Sequence, residues 1–217
     1  MTRSAKPVRT RLAPEERSQI ILNTAADIVT SEGVSAVNMD RLGRDAGISK
    51  ALVYNYYPNR NVLLRALLLR EVRLYQDQQR AAAESALDFD TLIRSTTRTY
   101  LDHIVEKGVL IERLMSEPTI ALGMGEMERA GRHKTIEYLA TRMREGLSMS
   151  MEVARMMIEL SLGLTGAGGA YLDRKGYNID LLEDMLVTMI KANVAAVEAG
   201  YPNWRNVEMA GQRVTQQ

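Results

Sequence analysis

Apolar residues recur along almost the whole chain at steps of three and four, the period of an amphipathic helix, while runs that alternate apolar and polar at every second position are missing. The first helix is predicted from Pro14, with Glu15 and Glu16 at its positive end and Ile21, Ala25, Ile28 and Val29 on one face, to a stop at Gly33. Asn38 is placed to cap a short second helix with Met39, Leu42 and Ala46 inward, and Gly47 ends it. Ser49 caps a third, from Lys50 through Tyr57, which Pro58 stops. Asn59 caps a long fourth helix, about 60–84, with Leu63, Leu67 and Val72 among its apolar positions. Beyond it the pattern predicts a helix over 89–106 that ends near Gly108, and a short apolar turn over 109–115. Loops come next at Pro118 and at 123–125, then helices over 126–147, 151–172 and 179–199. The chain reads as all-α, about nine helices, with no long repeat and a loosely ordered tail over 201–217.

Composition narrows the chemistry. The 217 residues are 46% hydrophobic and 25% charged, with a mean hydropathy of -0.20, as in an ordinary globular protein with enough length to bury a core. Without cysteine there is no disulfide, no thiolate metal site and no cysteine nucleophile. His103 and His133 are the only imidazoles, thirty residues apart, and no paired-acid or nucleophile-elbow motif occurs. No enzyme, metal or cofactor is expected. Glu159 and Lys191 interrupt the most apolar stretches, and the N-terminus lacks the apolar region of a signal peptide, so no membrane partner and a cytoplasmic location are expected. The stretch from Gly163 to Gly169 is glycine-rich, but with no strand before it and no Gly-Lys-Ser/Thr ending it reads as close helix packing rather than a phosphate loop.

Charge is uneven. Residues 1–60 carry nine Lys/Arg and six Asp/Glu, whereas 61–217 carry nineteen and twenty-one. Arg3, Lys6, Arg9 and Arg11 stand in the first eleven residues without one acid. Such an arm serves either to contact a polyanion or to keep the chain soluble. The residues C-terminal to the arm favour the first role. Two short helices joined by a tight glycine turn, then a helix rich in polar and aromatic residues, form a helix-turn-helix pattern, in which the short helix enters the roughly 12 Å major groove. Val53 and Tyr57, four apart, are predicted to face the core, leaving Lys50, Leu52, Tyr54 and Asn55 toward solvent or DNA.

The run from Val37 to Leu64, with Ala46-Gly47-Ile48, Tyr54, Tyr57-Pro58 and Arg60, resembles the DNA-binding signature of TetR-family transcriptional regulators. The resemblance is specific over about residues 14–70. It implies that Asn38 bonds a phosphate, that Ser49, Lys50, Ala51, Tyr54 and Asn55 face bases or nearby backbone, and that Arg44, Tyr56 and Arg60 grip phosphates. Tyr54 and Tyr56 have a second reading, as packing of the third helix on the first. Leu52 stands where a hydroxyl residue is common, so an apolar contact with a thymine methyl takes its place. Asp40 is an acid where many members are neutral or basic.

Farther along, Val153, Met157, Leu160, Leu164, Ala167 and Tyr171 repeat at steps of four and three, and Leu182, Leu186 and Met189 mark the last helix. Both helices are apolar on more than one face, so each needs more than one neighbour. The resemblance implies that this pair forms the interface of a homodimer; an internal hairpin in a monomer is the other reading. It also implies an effector cavity between about 60 and 147, for which Tyr100, His103, Met115, Met127, Tyr138 and Met143 are candidate lining residues, although methionines are more often core filler. The organisation expected is a flexible basic arm over 1–13, a helix-turn-helix domain over 14–60, a ligand-binding and dimerisation domain over 61–200, and the tail. The function expected is a ligand-responsive regulator, a repressor, that binds palindromic double-stranded operator DNA as a homodimer and is released by a small, largely apolar effector. A ligand-independent architectural DNA-binding protein with the same head is the alternative.

Overall fold

The computed structural model describes residues 13–122, 124–147, 149–175 and 178–214, with side chains described throughout except at 126–128, 173–175 and 201–214. The basic arm, including Arg3, Lys6, Arg9 and Arg11, lies outside these residues. Among the described residues there are nine α-helices and no strand: α1 Pro14–Glu32, α2 Met39–Asp45, α3 Lys50–Tyr56, α4 Arg60–Ser85, α5 Phe89–Met115, α6 Pro118–Ala121, α7 Met124–Gly146, α8 Met151–Lys175 and α9 Ile179–Val214, with a single 3-10 turn at Val34–Ala36. None of the described helices is long and apolar enough to cross a membrane. The chain forms two compact units, one made of the residues up to Glu71 with Leu110–Leu122, the other of Val72–Val109 with the residues beyond 123. The first division falls inside α4, at 71/72, whereas the sequence places its domain boundary at 60/61.

In the first unit the start signals act as the sequence predicts. The Glu16 carboxylate accepts a bond from the Ala13 amide at 2.8 Å, satisfying a donor that the first turn of α1 leaves open. Ile21, Leu22, Ala25, Ile28 and Val29 form the buried stripe of α1. Gly33 ends it at φ 92°, a left-handed conformation open to glycine. The core is completed by Leu42, Val53, Leu63, Leu64, Leu67 and Leu68, all at most 1% exposed, each side chain contributing about 1.5–3 kcal/mol by leaving water. Arginines tie the outer elements to this core through backbone carbonyls. Arg113 donates to Val29 and Thr30 at 2.7 and 2.9 Å, adding a second donor to the Val29 carbonyl, which already accepts from the Gly33 amide at 3.0 Å at the end of α1. Arg65 donates to Thr119 at 2.8 Å. Arg70 binds the buried Glu71 carboxylate at 2.6 Å while also reaching Gln19 and Asn23 on α1.

In the second unit α8 packs along α7 and α9. Its core gathers Leu92, Ile93, Ile136, Ala140, Met143 and Ile190, among others. Of the small residues of α8, Gly168 and Gly169 have the close-packing role read from sequence, whereas a β-carbon on Gly163 would meet nothing within 4 Å. A β-carbon on Gly168 would stand 2.8 Å from Leu186 of α9, and one on Gly169 the same distance from the Tyr100 ring of α5. Arg94 and Arg98 of α5 bind Asp180, Glu183 and Asp184 of α9 at 2.7–3.2 Å, and the buried Glu183 carboxylate is satisfied by both.

Three predicted boundaries are corrected. The turn expected over 109–115 is helix, because Leu110 and Leu114 continue α5 as buried positions and their burial outweighs the roughly 1 kcal/mol that Gly108 costs inside a helix. The helix expected to end at 199 runs to Val214. Pro202 removes one backbone donor there, but the residues after it include good helix formers such as Glu208, Met209, Ala210 and Gln212. The third helix ends at Tyr56 rather than Tyr57, whose backbone is already extended at φ -135° ahead of Pro58.

Two glycines of contrasting environment give a direct stability test. A β-carbon on Gly43 of α2 would lie 2.8 Å from the Ile48 carbonyl oxygen, whereas one on Gly108 meets only ordinary contact at 3.7 Å. Gly43→Ala lowers stability by about 1–3 kcal/mol and Gly108→Ala raises it by about 0.5–1 kcal/mol, as read by urea denaturation.

Candidate nucleic-acid interface

The α2–α3 hairpin is set by two backbone facts. Gly47 adopts φ 65°, turning the chain where a side chain would be strained, and the Ile48 amide donates to the Gly43 carbonyl at 2.8 Å. That bond brings the turn directly onto α2, at the position where Gly43 has no side chain. Both helices that leave the turn are capped as predicted. Asn38 Oδ1 accepts from the Asp40 and Arg41 amides at 2.8 and 3.4 Å, and Ser49 Oγ accepts from the Leu52 amide at 3.3 Å. The Asn38 cap leaves the amide group of that side chain as a donor on an exposed residue.

At about 100° per residue, Lys50, Ala51, Tyr54 and Asn55 share one side of α3, and none of them is buried; Tyr54 is 40% exposed, high for an aromatic side chain. Val53 and Tyr57 on the other side are buried, with the Tyr57 hydroxyl 2.7 Å from Ser18 Oγ of α1. The seven residues of α3 make a rod about 10 Å long, packed against α2 and bare along one flank. Leu52 and Tyr56 sit apart from the bare flank and are half-buried, with Tyr56 beside Tyr57 at 6.4 Å between ring centroids. The sequence groups Leu52 with the outward residues; its place on the helix separates it from them.

The charged groups around the rod differ in what they already hold. Arg41, which carries no sequence signal of its own, forks onto Glu32 at 2.5 and 2.7 Å and onto Asp45 at 3.1 Å, fastening α2 to the end of α1. This pairing raises the Arg41 pKa and lowers that of Glu32. Arg60 donates to the Val34 carbonyl at 2.7 Å, so one of its five donors is spent on fixing the head to α4. Arg44 and Ser49 are exposed. Lys50 reaches back to Asp40 at 2.8 Å, and its ammonium stands 5.9 Å from the centre of the Tyr54 ring. Hydrogen bonding to Asp40 raises the Lys50 pKa. Together Val37, Asn38, Met39, Asp40, Lys50, Tyr54 and Arg60 line a shallow open groove beside the rod.

The candidate effector residues are only partly brought together. Tyr100 and His103 meet around Tyr75, which the sequence does not single out because one tyrosine on a long helix carries no pattern. The Tyr75 ring stacks on His103 at 4.4 Å and meets Tyr100 edge-on at 6.4 Å. The Tyr75 hydroxyl accepts from Gln79 at 2.9 Å, and burial pushes its pKa up to about 12. Met143, 1% exposed, is part of the core; Tyr138 is 38% exposed. Met115, 37% exposed, belongs to the first unit, and the Met127 side chain lies outside the described residues.

The candidate dimer residues also separate. Val153, Met157 and Leu186 are buried within the chain's own core, because α7 and α9 already occupy those faces of α8, and α8 that face of α9. Leu164 and Leu182 are half-buried, while Leu160, Ala167, Tyr171 and Met189 are exposed. The outward line on α8 runs through Met156, Leu160, Gly163 and Ala167. On α9 it runs through Leu181, Met185, Thr188, Ala192 and Ala195. Both keep the four-three spacing, one position away from the buried line.

Residues 21–67, which span most of α1, the hairpin and the start of α4, match the family model described as bacterial regulatory proteins, tetR family. Over 183 residues the chain is 26% identical to the HTH-type transcriptional regulator UidR of Escherichia coli strain K12, covering 76% of this chain and 83% of UidR. It is 28% identical over 94 residues, 43% of each chain, to the HTH-type transcriptional activator FasR of Mycolicibacterium smegmatis. The crystal structure of a TetR-like transcriptional regulator from Rhodococcus sp. RHA1 shares the fold with a TM-score of 0.64 at 20% identity, over 85% of this chain and 99% of that one. A capped helix-turn-helix inside the matched segment and an all-helical chain built like these regulators agree: residues 21–67 carry a tetR-family DNA-binding segment, in a chain that is similar to transcriptional regulators of that family over most of its length.

Proposed function

We propose that the protein is a cytoplasmic, homodimeric repressor that binds a palindromic operator through α3 and leaves it when a small, largely apolar effector binds the second unit. The observation that carries the reading is the bare flank of α3, where Lys50, Ala51, Tyr54 and Asn55 stand open to solvent on a rod anchored by Val53 and Tyr57. An ammonium, an amide and a phenol on one short helix supply donors and acceptors for base edges, and Asn38, Arg44, Tyr56 and Arg60 flank it as phosphate contacts.

The outward lines of α8 and α9 favour a second copy as their occupant. Leu160 is 70% exposed, Leu181 60% and Met185 54%, a run of apolar surface that the solitary chain leaves in water. Gly163, Ala167, Ala192 and Ala195 let facing helices approach closely along the same lines. A two-fold pair presents two heads to two half-sites about 34–36 Å apart, which is why the operator is palindromic.

The Tyr75, Tyr100 and His103 cluster supports the effector reading, since it places three ring groups with polar tips in a mainly apolar unit. An effector that prefers the state with its heads wrongly spaced drives release; one with equal affinity for both states shifts nothing. Release by effector makes the unliganded protein the repressing form. The architectural alternative keeps the head and dispenses with the effector.

Leu160→Glu combined with Met185→Glu converts the dimer to monomer in light scattering and leaves the melting of the isolated fold nearly unchanged, because both side chains are exposed; a dimer that survives both changes contradicts the assigned face. Tyr54→Ala weakens binding to a selected duplex by roughly 10-fold, about 1–3 kcal/mol being a usual worth for a base-reading contact. Arg44→Ala weakens binding to every duplex alike and reduces the salt slope by about one. Both effects are read by fluorescence anisotropy. A thermal-shift screen of small apolar metabolites separates effector control from the architectural role, which predicts no stabilised hit.

A further inference from the structure

The acids and cations of the reading head are not paired at random. Glu32 and Asp45 are both taken by Arg41, which uses them to join α1 and α2. Arg60 is turned inward onto Val34. Asp40 and Lys50 are left to each other across the groove, 2.8 Å apart, with side chains 55% and 61% exposed. Asp40 is the one carboxylate among the residues that line this groove. Lys50 stands on the bare flank of α3, in the position from which an ammonium reaches a phosphate or the O6 and N7 acceptors of guanine. It is drawn back from that flank toward α2 by Asp40 and steadied by the Tyr54 ring.

Resting on the DNA-binding function proposed for α3, we propose that Asp40 is a specificity-determining residue, which holds Lys50 away from indiscriminate phosphate contact and releases it only to a matching base edge. An exposed ion pair is weak and exchangeable, so it does not lock Lys50. It does change what the exchange gains. Moving Lys50 from the carboxylate to a phosphate replaces one anion with another and leaves Asp40 unpaired beside the polyanion. A phosphate is present in every sequence, and that contact gains little. A guanine edge held in register offers two acceptors to Lys50 while Tyr54 and Asn55 make their own contacts, and the exchange then becomes favourable. Asp40 therefore lowers non-specific binding more than specific binding, and the ratio between them is what finds a site in a genome.

The test uses the full-length protein with two probes, a random-sequence 30-bp duplex and the tightest duplex that the wild type selects from a randomised pool. Asp40→Asn binds the random duplex about five- to tenfold more tightly, with a salt slope steeper by about one as Lys50 gains a phosphate. The selected duplex gains less, so the discrimination ratio falls. In a Lys50→Met background the same change gives less than a twofold gain, because there is no ammonium to release. Asp40→Ser repeats the measurement if the asparagine variant fails to fold. Random-duplex affinity that stays within twofold of wild type overturns the inference, and so does an undiminished gain in the Lys50→Met background, which would mark Asp40 as simple charge repulsion. A wild type that binds no duplex, or prefers none, instead overturns the DNA-binding function and the inference falls with it.

Discussion

The bond from the Ile48 amide to the Gly43 carbonyl holds the reading head together, and it exists only because two glycines make room for it. Gly43 lets the turn lie against the α2 backbone with no side chain between them, and Gly47 supplies the positive φ that brings the chain round in so few residues. From there α3 can have only one orientation, with Val53 and Tyr57 driven into the core and the opposite flank left bare. The affinity of that flank for DNA is a secondary matter of side chains. Its position is a matter of backbone.

Around this hairpin the arginines divide into two groups. Arg41, Arg65, Arg70 and Arg113 are structural, each bonded to carbonyls or acids of the first unit, while Arg60 belongs to both groups, with one of its five donors fixed on the Val34 carbonyl. Arg44 remains on the outside, as Lys50 does. Planar guanidinium groups with several donors suit the structural task, since one side chain can satisfy two or three acceptors at helix ends. The net charge of the head is thus a poor measure of its attraction for DNA. Where each cation is held decides how much of it a phosphate can use.

The head was legible in the sequence to a degree the second unit was not. Asn38, Ser49 and Asn59 announce helix starts by chemistry that acts within three residues, and each caps as read. The turn glycine, the proline after Tyr57 and the paired Val53 and Tyr57 are equally local signals. Gly43 and Arg41 were not legible, because a close approach and a bridging arginine depend on partners nine residues away or across a turn. In α8 and α9 the apolar period is present on every side, so spacing alone assigns Leu160 and Val153 to one seam although one faces water and the other the core. Only the positions of α7 and α9 separate them. The effector residues are only partly brought together for a related reason: a tyrosine, a histidine or a methionine in a helix has the same local signature whether it lines a cavity, fills a core or lies on the surface.

If α3 enters the major groove twice per dimer, methylation protection on a duplex selected by the wild type will register it. Dimethyl sulfate attacks guanine N7, which faces the major groove. The expected pattern is two protected guanine clusters separated by about one helical turn, 34–36 Å, with adenine N3 in the minor groove between them left reactive. A single protected cluster, or protection confined to the minor groove, contradicts that placement of α3 and the regulator built on it.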